Sequence, residues 1–191
     1  MIKKYVGFFI PLLVMGLYAC QQGSNRDAAK LFIVMQDGKF GYINKTGKLV
    51  IPAQFDGAWK FSEGFALVKL NDKWGFINEQ GKTIINPQFD EAESFSEGLA
   101  RVKTGTKNGY IDKTGKHVIN PQFDEAEGFS EGLAKVKIGK KYGYIDKTGK
   151  LTINPQFDEA EGFTAGLARV SIDDRGGYID KTGKYVWNPT Q

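Results

Sequence analysis

The chain has 191 residues, with 26 Lys and Arg against 22 Asp and Glu, a formal charge of +4. One Cys and one His exclude a disulfide framework, a multi-histidine metal site and a histidine-based catalytic triad repeated along the chain. Charges of both signs are interspersed, whereas nucleic-acid binding calls for a concentrated basic face, so no nucleic-acid partner is expected.

Met1-Ile2-Lys3-Lys4 is a short basic start, and Tyr5 to Leu17 is almost wholly apolar, broken only by Gly7, Pro11 and Gly16. This is the layout of an export signal. The run is shorter than the roughly 20 residues a membrane span needs. It ends at Leu17-Tyr18-Ala19-Cys20, which resembles the lipobox of bacterial lipoproteins, cut just before the cysteine. That resemblance implies a signal peptide over residues 1–19 and a diacylglycerol thioether and N-acyl chain on Cys20. Several acyl chains on one residue make a stable membrane anchor, so the expected location is the bacterial envelope, on the outer membrane, facing the periplasm or the surface. Cleavage would remove Lys3 and Lys4 and leave 24 basic against 22 acidic residues, a balance of +2. Gln21 to Lys30 is polar and aperiodic. Residues 20–30 therefore read as lipidated cysteine plus flexible tether, and residues 31–191 as a domain with one modest core.

The domain repeats itself. Gly41-Tyr42-Ile43, Gly75-Phe76-Ile77, Gly109-Tyr110-Ile111, Gly143-Tyr144-Ile145 and Gly177-Tyr178-Ile179 recur at a fixed spacing of 34 residues. A fixed period of this size marks stacked copies of one small unit. The units are 31–63, 64–97, 98–131, 132–165 and 166–191. A 34-residue period also fits helical arrays, but here the apolar residues alternate rather than recur at helical spacing, which is the strand signal.

In the third unit, Leu99 to Lys103 alternates, with Ala100 and Val102 on one face and Arg101 and Lys103 on the other. Thr104 to Lys107 is a turn. Asn108 to Asp112 is a second strand, with Gly109 and Ile111 on one face and Tyr110 on the other. Asp112-Lys113-Thr114-Gly115 is a tight turn in which Gly115 takes a left-handed conformation. Gly47, Gly81, Gly149 and Gly183 hold the same place in the other units. Lys116 to Asn120 is a third strand, ended by Pro121, which has no amide to donate. Gln122 to Gly132 reads as a short irregular strand and a turn, with a short helix as the alternative for that connector. The fold class is thus all-β, a tandem array of five antiparallel β-meander repeats. An open twisted stack is the favoured assembly, because no end strand is swapped to close a ring. A closed five-bladed, propeller-like ring is the alternative.

The phrase Trp74-Gly75-Phe76-Ile77, with Gly115-Lys116, Asn120-Pro121-Gln122-Phe123-Asp124 and Phe129-Ser130-Glu131-Gly132-Leu133-Ala134-Lys135-Val136, resembles WG-repeat proteins in register over residues 31–191. The resemblance implies β-rich repeats in bacterial proteins, often exported, and brings no catalytic residue, cofactor or common ligand. The tryptophan itself is replaced by Phe40, Asn108, Tyr142 and Gly176 in the other units.

His117 reads as an ordinary strand residue. The clusters Asp90/Glu91/Glu93, Asp124/Glu125/Glu127 and Asp158/Glu159/Glu161 recur in like surroundings. General acid/base chemistry needs carboxylates in unlike ones, and no calcium-loop spacing is present, so pairing with lysines is expected. No residue is assigned to catalysis, metal or cofactor. The aromatic row on the middle strands is the one candidate ligand surface, comprising Trp74, Phe76, Tyr110, Tyr142, Tyr144 and Tyr178. It would either grip a sugar or peptide or pack between units, with each glycine making room for a neighbouring ring. Asn108 and Gly176, which break the row, are expected to mark an exposed side. The functional expectation is a lipid-anchored, non-catalytic module that binds an envelope protein or serves as structure, with glycan or cell-wall binding through the aromatics as the alternative.

Overall fold

The computed structural model describes residues 30–188. The signal peptide, Cys20 and the tether up to Ala29 lie outside the described residues, as do residues 189–191. No helix among the described residues is long and apolar enough to cross a membrane.

The first unit is a three-stranded meander of β1 (Phe32–Gln36), β2 (Lys39–Ile43) and β3 (Leu49–Phe55). The second adds a two-residue strand in front: β4 (Gly57–Ala58), β5 (Phe65–Leu70), β6 (Lys73–Asn78) and β7 (Thr83–Phe89). The third repeats this as β8 (Glu91–Ala92), β9 (Ala100–Thr104), β10 (Lys107–Ile111) and β11 (His117–Phe123). The fourth is β12 (Glu125–Ala126), β13 (Ala134–Ile138), β14 (Lys141–Ile145) and β15 (Leu151–Phe157). The fifth is β16 (Glu159–Ala160), β17 (Leu167–Ile172), β18 (Arg175–Asp180) and β19 (Tyr185–Trp187). Each unit is its own antiparallel sheet with strands paired in chain order. All elements among the described residues are strands, so the connector is strand and turn rather than helix. The short strand after each proline joins the sheet of the following unit, and only the first sheet lacks one.

The turns follow the sequence. Gly115 sits at φ 87° and its amide donates to the Asp112 carbonyl over 2.9 Å. The Asp112 side chain accepts from the Thr114 hydroxyl at 2.6 Å and the Lys116 amide at 3.1 Å, which closes the turn from inside. Two sequence expectations are corrected. The third strand does not stop at Pro121. It continues to Phe123 across a bulge between the pairs Asn108↔Phe123 and Tyr110↔Ile119, where the missing proline amide costs no ladder bond. The bulge also changes the role of the phrase glycine. A Cβ on Gly109 would lie 2.6 Å from the Ile119 carbonyl oxygen and 2.7 Å from the Pro121 nitrogen. Glycine therefore makes room for the backbone of the bulged strand, not for a ring.

The core is built at the junctions. The middle strand is buried on both faces. Tyr110 points into a cluster with Ala134, Val136 and Ile145 of the next unit, while Ile111 points into one with Phe76, Ile85 and Phe89 of the unit before. The same arrangement joins units one and two and units four and five. No such cluster joins the fifth unit to the first among the described residues, so the array is open.

Polar contacts repeat with the period. The Ser62, Ser96 and Ser130 hydroxyls donate to the Phe95, Phe129 and Phe163 carbonyls at 2.7–2.8 Å. Glu63 is left-handed at φ 52°. Its carboxylate accepts from the Gly98 amide at 3.1 Å and pairs with Lys113 at 3.0 Å, both in the next unit. Glu97 does the same with Gly132 and Lys147, and Glu131 with Gly166 and Lys181. This ladder stops where Glu79 stands in place of the lysine and Ala165 in place of the glutamate.

Candidate functional site

Tyr42, Phe76, Tyr110 and Tyr144 have no exposed surface. Their rings lie 4.8–5.0 Å from Phe61, Phe95, Phe129 and Phe163. The Tyr42, Tyr110 and Tyr144 hydroxyls donate to the carbonyls of Trp59, Glu127 and Glu161 at 2.7–2.8 Å. Burial pushes all three hydroxyls far above the ordinary tyrosine range. Phe76, Tyr110 and Tyr144 therefore present nothing to a ligand, because their faces are spent on the next unit. Tyr178, on the last sheet, is 42% exposed. Gly81, Gly115, Gly149 and Gly183 sit against Ile51, Ile85, Ile119 and Ile153 of the preceding unit, whereas Gly47 has open space around it.

Beside the buried row, on the same sheet face, cross-strand register sets up a second row at the rim. In unit one it is Met35↔Phe40. In unit two it is Gly57↔Lys69↔Trp74, in unit three Glu91↔Lys103↔Asn108, in unit four Glu125↔Lys137↔Tyr142, and in unit five Glu159↔Ser171↔Gly176. The backbone places are equivalent; lysine recurs at the middle place of units two to four and glutamate at the first place of units three to five, while the third place differs in every unit.

Unit two makes an aromatic rim. Trp59, 49% exposed, meets Trp74 edge to face at 4.8 Å, and Lys69 lies 5.9 Å from the Trp74 ring. A Cβ on Gly57 would touch both indoles at 3.4 Å. A cavity of about 380 Å³ beside Trp59 is floored by Ile33, Ala58 and Phe61.

Unit three makes a charged one. Arg101, with its side chain 12% exposed, pairs with Glu93 at 2.9 Å and Glu91 at 3.6 Å, and donates to the Asn108 amide oxygen at 2.7 Å. Asn108 in turn donates to the Asp124 carbonyl at 3.0 Å. Asn108 is thus buried, at 4% exposure, not a mark of an exposed side, because Arg101 and the connector satisfy both ends of its amide. In unit four Lys135 pairs with Glu127 at 2.6 Å and Lys137 with Glu125 at 2.7 Å. Tyr142 donates to Glu125 at 2.6 Å under both ammonium groups. A groove of about 310 Å³ runs between these two rims. Hydrogen bonds from Lys103 and Lys137 hold Glu91 and Glu125 below the usual carboxylate range, and the Glu125 bond raises Tyr142. No group of three or more His, Cys, Asp or Glu side chains among the described residues is placed to hold a metal ion.

Sequence reasoning read Glu93 only as an ion-pair partner and gave no site role to Trp59, Arg101 and Lys135. Reading down each column of the 34-residue period would have found them, since these places break between unit two and the later units, Trp59 giving way to Glu93 and Leu67 to Arg101, while the junction places hold.

A family model described as the WG containing repeat matches residues 40–74, 74–107, 109–142 and 142–175. Hsv2 from Kluyveromyces lactis aligns at 11% identity with a TM-score of 0.53, over 83% of this chain and 59% of that one. Its form with loop 6CD replaced by a Gly-Ser linker aligns at 10% identity and 0.53, over 82% and 61%. The chain spans about 60% of the length of these propeller-like structures, and at such identity the likeness shows the fold alone. A protein of unknown function from Bacteroides caccae aligns at 16% identity and a TM-score of 0.37, over 83% and 77%. No curated protein matches the chain.

Proposed function

We propose, for a chain that belongs to the family of WG-containing repeats, that it is a non-catalytic binding module in which a uniform scaffold displays a different rim on each unit. The observation that carries this reading is the set of rim rows, which occupy equivalent places and end on a different residue in every unit: Phe40, Trp74, Asn108, Tyr142 and Gly176. Packing alone would fill equivalent places alike, as it does at the junctions. The partner is another protein, and its docking point is the aromatic rim of unit two. Trp59 and Trp74 are the kind of large, rigid side chain that dominates protein interfaces, beside a cavity floored by apolar residues and with Lys60 and Lys69 close by. No catalytic role is proposed: the rim carboxylates Glu91 and Glu125 are lowered rather than raised, the reverse of the tuning a general acid requires. The module works at the membrane, held by lipid on Cys20; the basic start, short apolar run and lipobox-like tetrapeptide support this. A pull-down from envelope extract tests the reading. Wild type is expected to retain a defined protein that the Trp59→Ala/Trp74→Ala variant loses; retention of the same proteins by both would overturn it. Cys20→Ser is expected to move the protein from the membrane pellet to the supernatant.

A further inference from the structure

The downstream face of the last sheet is chemically unlike the same face of every other unit. Register places Arg169, Tyr178 and Trp187 directly opposite one another across β17, β18 and β19, so their Cβ atoms are roughly 5 Å apart in a row. In units one to four the last place of this row is Ile51, Ile85, Ile119 or Ile153, buried against the next unit. Here it is a tryptophan, 56% exposed.

Two substitutions open the space above the row. Gly176 stands where Phe40, Trp74, Asn108 and Tyr142 fill the other sheets. Ser171 stands where a lysine pairs with the rim glutamate in units three and four. Without the amide that clamps Arg101, the Arg169 side chain is 53% exposed and reaches Glu161 only at 3.6 Å. Its guanidinium lies about 3.6 Å from where a Cβ on Gly176 would be. The result is a cavity of about 480 Å³ lined by Arg169, Asp174, Arg175, Gly176, Tyr178 and Trp187, a size that suits a small ligand.

We infer that this cavity is a binding site for a carboxylate-bearing saccharide, a uronic acid unit of an acidic glycan. The indole and phenol rings offer adjacent flat apolar faces for the C–H side of a sugar ring, and each carries a polar edge for its hydroxyls. Arg169 offers the planar fork that fits a carboxylate in two-point contact. Arg175 adds a second positive charge against the single Asp174 in the lining. A second copy of the chain is a poorer occupant. Its first sheet carries Phe32 where each later unit has a close-packed alanine (Ala66, Ala100, Ala134 and Ala168), and Ala165 removes the glutamate that bridges every junction from unit two onward.

This site is separate from the aromatic rim of unit two, and failure at either leaves the other standing. Calorimetric titration of the full chain with a trigalacturonate, and with a neutral glucose trisaccharide as the paired probe, tests it. Saturable binding of the acidic sugar is expected, at least tenfold tighter than the neutral one. It should weaken at least tenfold in Arg169→Gln and in Gly176→Tyr, which restores the residue of unit four, with unfolding midpoints unchanged. Equal binding of the two sugars, or binding that survives both substitutions, would overturn the site. So would sedimentation showing a dimer of the full chain that Trp187→Ala dissolves, since the face would then belong to a second copy.

Discussion

The junctions and the rims lie a few ångströms apart on the same sheets, and they treat the 34-residue period in opposite ways. At a junction, Tyr110 and Ile111 are in the third unit what Tyr144 and Ile145 are in the fourth, down to the ring that covers the tyrosine. At the rim, Trp59 and Trp74 of the second unit give way to Glu93 and Asn108 in the third. A buried place has one neighbour and one solution; a place facing water is released from that constraint. At the junctions repetition goes with burial, and the rims of units two and five, where it fails, hold the surface available for recognition.

The contrast can be broken hardest at the phrase glycine. Gly109→Ala drives a methyl group into the bulged backbone at 2.6 Å. Backbone cannot swing aside as a side chain can, so a loss of about 3 kcal/mol is expected, read as a large drop in the urea midpoint. A midpoint within error of wild type would show that the bulge is not needed.

The turn glycines sharpen the contrast, because one of them is a junction residue in sequence but not in space. Gly47 and Gly115 share a left-handed backbone, at φ 80° and 87°. Only Gly115 also touches a neighbour, with Ile85 3.2 Å from the place an added methyl group would take. Gly47→Ala should cost about 1 kcal/mol for the backbone alone. Gly115→Ala should cost about 2 kcal/mol, the difference being contact with the preceding unit. Equal losses in chemical denaturation would remove the turn from the junction.

Asn108 probes the rim in the other direction. Asn108→Ala leaves Arg101 buried without its 2.7 Å acceptor, and about 1.5 kcal/mol should be lost. Arg101→Leu in the same background should recover part of it, the rim having become apolar as it is in unit two. No recovery in the double-mutant cycle would mean the pair is not coupled.

The smallest effect is electrostatic. Asp56, Asp90, Asp124 and Asp158 are each held below the usual carboxylate range, first by the hydrogen bond from Lys39, Lys73, Lys107 or Lys141 and then by an amide in the next unit's first hairpin. A depressed value means that their contribution is present above about pH 4, the unfolded carboxylate range, and is lost as pH falls through the lower folded value. All four lie at the surface, where solvent screens them, so the thermal midpoint should stay flat from pH 7 to about 5 and fall only modestly below 4. A decline beginning near pH 6 would point to another group.

Much of this was legible in the order of residues. Alternation gave the strands, and Asp-Lys-Thr-Gly gave the turn down to its left-handed glycine. What stayed hidden depended on pairing across the chain. A two-residue strand such as Glu91–Ala92 carries no periodicity, and its place in the following sheet comes from its bonds to Val102 and Lys103. Pro121 reads as a stop until the bulge gives it a place where no amide is wanted. Asn108 reads as surface because its partner, Arg101, is met only once two strands are laid side by side. The candidate site suffered the same way, since a scan for recurring residues finds the junctions and is blind to places that do not recur.

The glutamate ladder has a consequence for how such a chain changes length. Each glutamate contacts a glycine 35 residues on and a lysine 50 residues on. Loss of residues 98–131 would bring Glu97 into the place of Glu131, facing Gly166 and Lys181. Every rung would be remade with a different lysine, and one rim would be gone. Gain or loss of whole units in the interior therefore leaves the frame intact and edits only the displayed surface, while Glu79 and Ala165 fix where that editing stops.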